Sequence, residues 1–99
     1  MNDVEVLKRA TAPVQVELTN SETPYTVSGY GATGLNVYNE STTTALTITL
    51  TLNDATTMNV TIPASTTWSE NVRSFTSLAT SGSTSFYIQV KGWRLTDDV

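Results

Sequence analysis

Apolar and polar residues alternate along most of the chain. Leu46, Ile48, Leu50 and Leu52 alternate with Ala45, Thr47, Thr49 and Thr51, the period of two that gives a strand one apolar and one polar face. Beyond Asn53-Asp54-Ala55-Thr56, the residues Met58, Val60 and Ile62 alternate with Thr57, Asn59 and Thr61. Two such runs separated by a short turn segment predict an antiparallel hairpin. Val14, Val16 and Leu18 follow the same rule, as do Phe86, Ile88 and Val90 against Tyr87, Gln89 and Lys91. Shorter runs lie at Tyr25 and Val27, and at Leu35 and Val37 after a Gly29-Tyr30-Gly31-Ala32-Thr33-Gly34 loop. Pro63, Ser81-Gly82 and Gly92 punctuate the pattern, Pro because it has no N–H for a ladder.

Two segments depart from the alternation. Val72, Phe75 and Leu78 are three apart, which fits either a short helix or a bent strand over residues 68–80. Val4 and Val6 suggest a strand, whereas Asn2 or Asp3 ahead of Val4 and Leu7 suggests one capped helical turn. The abundance of β-branched Thr and Val favours strands. The pattern predicts an all-β protein, a single antiparallel β-sandwich of Ig-like or jelly-roll type with seven to eight short strands. Residues 1–99 form one domain in this reading, with residues 1–12 as an extended N-terminal arm.

Composition narrows the function. The 99 residues include 20 Thr, 10 Ser and 7 Asn, while only 14% are charged, against about 25% in ordinary domains. Cys and His are both absent. Thiol chemistry, disulfides, Ser-His nucleophile systems and imidazole metal sites are thereby excluded. A net charge of −4 with five basic residues draws no basic stripe, so neither nucleic acid nor an anionic membrane is an expected partner. Met1-Asn2-Asp3-Val4-Glu5 lacks the basic and apolar regions of a secretory signal, and no apolar run is long enough to cross a bilayer.

Candidate chemistry is sparse. Glu5, Glu17 and Glu22 lie near one end and Asp97 and Asp98 at the other, read as solvated surface charge rather than an acid–base pair. Lys8 and Lys91 have no Ser at a distinguishing spacing, and no calcium-loop pattern occurs. The glycine-rich loop is not followed by a helical pattern, so it is not a dinucleotide cradle. No catalytic residue, metal ligand or cofactor site is assigned. Trp68, Trp93 and Tyr30, with Tyr25 and Tyr38, are the candidates for a glycan platform, because aromatic rings stack on sugar faces; core or interface packing is the plainer reading. Thr47, Thr49 and Thr51 would present the hydroxyl and methyl array of β-rich ice-binding proteins, but the chain lacks their repeats. Asn39-Glu40-Ser41 and Asn59-Val60-Thr61 match glycosylation sequons.

Charge placement carries the strongest functional hint. Between Thr23 and Thr67 only Glu40 and Asp54 are charged, and Ser41 to Asn53 has no charge at all. Soluble proteins normally guard strands with Lys, Glu or Pro. An unguarded strand is either buried or covered by another chain, which marks Thr47, Thr49 and Thr51 as a candidate interface. The runs Pro24-Tyr25-Thr26-Val27, Gly34-Leu35-Asn36-Val37-Tyr38-Asn39, Asn59-Val60-Thr61-Ile62-Pro63-Ala64-Ser65-Thr66-Thr67-Trp68 and Ser85-Phe86-Tyr87-Ile88-Gln89-Val90-Lys91-Gly92 resemble small β-sandwich virion proteins of tailed bacteriophages. That group includes capsid decoration proteins and auxiliary head or neck components. The resemblance implies a non-enzymatic structural subunit, made in the host cytoplasm and located in the virion. Its implied partners are other virion proteins, a major capsid or neck protein among them, and sister copies in a homo-oligomer. The alternative is a small carbohydrate-binding β-sandwich module.

Overall fold

The computed structural model describes the backbone of residues 7–98 and the side chains of residues 12–94. Seven strands make up about two thirds of the chain: β1 (Leu7–Leu18), β2 (Tyr25–Thr26), β3 (Gly31–Asn39), β4 (Leu46–Leu52), β5 (Thr57–Ile62), β6 (Thr67–Gly82) and β7 (Phe86–Asp98). The only helical element among the described residues is a single 3-10 turn, Asn20–Glu22. Every strand pairing is antiparallel, in the order β1-β7-β3-β6-β4-β5, with β2 also on β6. The Leu46–Leu52 and Thr57–Ile62 strands pair as the hairpin that their alternation predicts, with Ile48 opposite Val60.

The sheet folds back on itself through β6. Residues 67–75 of that strand pair with β3, and residues 75–82 pair with β4. In a flat sheet β3 and β5 would stand roughly 14 Å apart, three strand spacings. Instead the Asn39 amide at the end of β3 donates to the carbonyls of Ile62 and Pro63 at the end of β5, at 3.1 and 3.2 Å. Two layers therefore face each other, β1-β7-β3 with the start of β6, and β5-β4 with the end of β6 and β2. Between them lies one apolar cluster, in which Leu35, Val37, Ile88 and Val90 meet Leu46, Ile48, Leu50, Ile62, Phe75 and Leu78. This is the antiparallel sandwich the alternation predicts.

Bulges in β6 account for the segment whose period is not two. Ala32 pairs with Phe75 and Gly34 with Asn71, so two steps along β3 match four along β6; a second shift separates Thr51 from Leu52. Extra residues bend a strand and rotate its side chains. Val72, Phe75 and Leu78 thus all reach the core at a spacing of three while remaining strand. The helical alternative for residues 68–80 is corrected to a long bent strand.

Two further expectations change. Gly29–Gly34 is not one continuous loop, because β3 already begins at Gly31 and Ala32 is fully buried. Glycine permits this close packing, since a Cβ at Gly92 would lie 1.9 Å from the Gly31 carbonyl oxygen. The strands are also not uniformly short, β1, β6 and β7 having 12, 16 and 13 residues. β7 runs beyond its last β3 partner, Trp93 opposite Gly31, and continues against β1 alone to the Leu7–Asp98 pair. A two-stranded ribbon results, and the molecule measures 59 × 24 × 21 Å. Residues 7–10 and 12 of the expected N-terminal arm are thus paired with β7, with a register shift at Thr11; residues 1–6, with the alternatives for Val4 and Val6, lie outside the described residues.

Candidate functional site

Each layer has an outer face, and the two differ in chemistry. On the first, β4 is central, so β5 and β6 occupy both its edges. Directly paired residues share a face, which builds three rows: Thr61-Thr47-Ser81, Asn59-Thr49-Ala79 and Thr57-Thr51-Ser77. None of these nine residues is charged or larger than Asn. Thr47, Thr49 and Thr51 are half-buried by their neighbours, and the Thr47 and Thr61 hydroxyls approach to 3.5 Å. The structure thus gathers the three candidate interface residues in the middle of a low, uncharged surface. Only the face of this strand, not an edge, is open to a partner.

The other outer face is concave and mixed. Gln15-Lys91-Gly34-Asn71 form one row and Glu17-Gln89-Asn36-Ser69 the next, with Tyr87 and Tyr38 side by side beyond them. Trp93, opposite Pro13, lies at the other end of the same β7 face. A depression of about 770 Å³ runs from Trp93 and Pro13 past Gly34 to Asn36 and Ser69. A smaller one of about 210 Å³ shares Asn36 and Ser69 and continues to Tyr38 and Tyr87.

Hydrogen bonds hold the polar row in place. Lys91 Nζ is 3.1 Å from the Asn36 side-chain oxygen, oriented so that the amide nitrogen donates to the Leu35 carbonyl at 3.2 Å and to the Ser69 hydroxyl. The opposite orientation would set an amide N–H against an ammonium group. Gln89 lies 3.2 Å from the same amide, and Gln15 donates to Glu17 at 3.3 Å. The Tyr87 hydroxyl donates to the Glu17 carboxylate, a hydrogen bond that favours the protonated phenol and pushes it above its usual range.

Of Trp68, Trp93 and Tyr30, Trp93 lines the larger depression and Trp68 the smaller one beside Tyr38, whereas Tyr30 lines neither. Trp93 is exposed, whereas Trp68 and Tyr30 are half-buried against the core. The Tyr30 hydroxyl is 2.7 Å from that of Tyr25, and burial first, then this bond, push its titration upward. Asn39, first residue of one sequon, is fully buried, with its amide nitrogen committed to the carbonyls of Thr44, Ile62 and Pro63. Among the described residues, no three His, Cys, Asp or Glu side chains gather to hold a metal ion. The Asp54 carboxyl is held below its ordinary range, chiefly by Thr56 at the β4–β5 turn, with exposed Arg73 at 3.5 Å. Tyr38, Tyr87, Asn36 and Gln89 were missed as a group because their association depends on strand order. The alternation in β7 signalled that Tyr87, Gln89 and Lys91 share a face, and the strand continues past Gly92 to add Trp93 to it.

No known protein family, curated protein or solved structure matches the chain.

Proposed function

We propose that the protein is a non-enzymatic structural subunit of a virion, a capsid decoration or auxiliary head or neck component that binds the shell and sister copies. The observation carrying this reading is the uncharged outer face of β5, β4 and β6, three rows of Thr, Ser, Asn and Ala with Thr49 at the centre. A face meant for water alone normally includes charge, which guards against sheet association. A face meant for another protein benefits from its omission, because an unpaired charge buried at an interface is expensive. The β1–β7 ribbon supports the same reading, since it offers an extended strand pair to a neighbour. Light scattering of the purified chain should return a defined multimer, and the chain should sediment with tailed-phage particles assembled in the same cell. A strictly monomeric chain that never accompanies particles overturns the proposal.

A further inference from the structure

We propose that the trough along β7 and β3 binds an extended, uncharged oligosaccharide. This goes beyond attachment to a shell and does not depend on it, because the trough and the Thr face belong to different layers. Trp93 and Tyr38 are the two large hydrophobic side chains left exposed among the described residues, at 50% and 42%. Both stand along this trough, at opposite ends. Flat aromatic faces of this kind cover the C–H faces of sugar rings while leaving ring hydroxyls to polar neighbours.

Between the aromatic ends lies the required polar chemistry. Gly34 makes a low floor, where a Cβ would already touch Lys91 Cβ at 3.4 Å. The Asn36 row then presents amide, hydroxyl and carboxylate groups, so donors and acceptors alternate across the trough. Sugar hydroxyls do both, and suit such a row better than a phosphate or carboxylate would. Mutual hydrogen bonds among Asn36, Ser69 and Lys91 already order these side chains, which lowers the entropy lost on binding.

Charge and length narrow the ligand further. Lys91 and Glu70 line the trough with one charge of each sign, Glu17 borders it on β1, and the chain carries −4 overall, which fits a neutral ligand and opposes a polyanion. From Tyr87 to Trp93 along β7 is roughly 20 Å at the strand rise, much longer than one sugar ring. An apolar helix or peptide strand would need a greasy groove or an open sheet edge; this trough is neither.

The test is titration of the full chain with neutral gluco-, xylo- and N-acetylglucosamine oligosaccharides, from mono- to hexasaccharide, by calorimetry and amide NMR. At least one series should bind with affinity rising with length and levelling once the trough is filled. Shifts should concentrate at residues 34–38 and 87–93 and spare Thr47 and Thr49. Trp93→Ala should weaken binding about tenfold or more with an unchanged melt. Should that variant melt early, Tyr38→Ala must weaken the longer oligosaccharides instead. Thr49→Lys, on the other layer, should bind like the parent, which separates this proposal from shell attachment. Absence of binding across all three series, equal affinity for mono- and tetrasaccharide, shifts on the Thr face, or full binding by both aromatic variants would overturn it.

Discussion

Asn39 shows how much one polar side chain can hold. Its amide nitrogen reaches the Thr44, Ile62 and Pro63 carbonyls, and its oxygen accepts from the Ser41 N–H at 3.2 Å. These groups belong to the end of β3, the following loop and the end of β5, so the side chain ties the two layers at one end. Removing it strands buried backbone groups, each worth about 1–3 kcal/mol if left unsatisfied. Asn39→Ala should therefore cost roughly 2–4 kcal/mol in denaturant unfolding, and a loss below about 0.5 kcal/mol, the range of ordinary surface changes, would show that water replaces the amide freely. Glu22 illustrates a solvent-exposed counterpart. Its carboxylate accepts from Ser21, from the Thr19 hydroxyl and from the Thr19 N–H, which lowers its pKa from 4.5 to about 2. A depressed folded value means stabilisation fully present above the unfolded value of 4.5 and lost as pH falls through about 2. Carboxyl NMR should find Glu22 still ionised at pH 3; half-titration near its ordinary value would show that the Thr19 cap does not persist in solution.

At the scale of elements, β4 is the strand whose sequence and structure agree most closely. Leu46, Ile48 and Leu50 are fully buried and Leu52 nearly so, while Thr47, Thr49 and Thr51 lie on the opposite face. Ile48→Ala should cost about 2–5 kcal/mol, the range for emptying a packed site, and should lower the melting temperature by several degrees. A melt within about 1 °C of the parent would mean that the face assignment has slipped by one residue. The alternation was legible here because β4 is regular and buried on one side only. It was illegible in β6, whose bulges break the period where the strand changes layers. The glycine signal was misleading at Gly31–Gly34, which reads as a loop but is strand, its Gly31 carbonyl lying so close to Gly92 that no Cβ fits there. For the sites, periodicity along β4 marked the Thr row correctly as sharing a face. The Asn36 row joins residues from four strands, and no spacing within one strand could reveal which strands would be neighbours.

For the whole molecule, the decisive contrast is between folding and assembly. A radius of gyration of 15.5 Å exceeds the roughly 12.6 Å of a compact chain this long, because the β1–β7 ribbon projects from the sandwich. So elongated a chain has much surface for its core, and its least charged side is the β5–β4–β6 face. Thr49 lies at the centre of that face, between Asn59 and Ala79, pointing away from the core. Replacing it with Lys leaves the apolar cluster untouched, and the long side chain can lay its stem over neighbouring Thr methyls with its ammonium in water. Thr49→Lys should thus change the stability of the isolated fold by no more than about 0.5 kcal/mol. In an assembly the same ammonium is buried without a partner, at a penalty of several kcal/mol, so at least a hundredfold loss of association is expected. Calorimetric melting and circular dichroism measure the first quantity; sedimentation with and without particles measures the second. A variant that melts, self-associates and attaches like the parent would show the Thr face to be open to solvent, and would move the contact surface to the projecting β1–β7 ribbon.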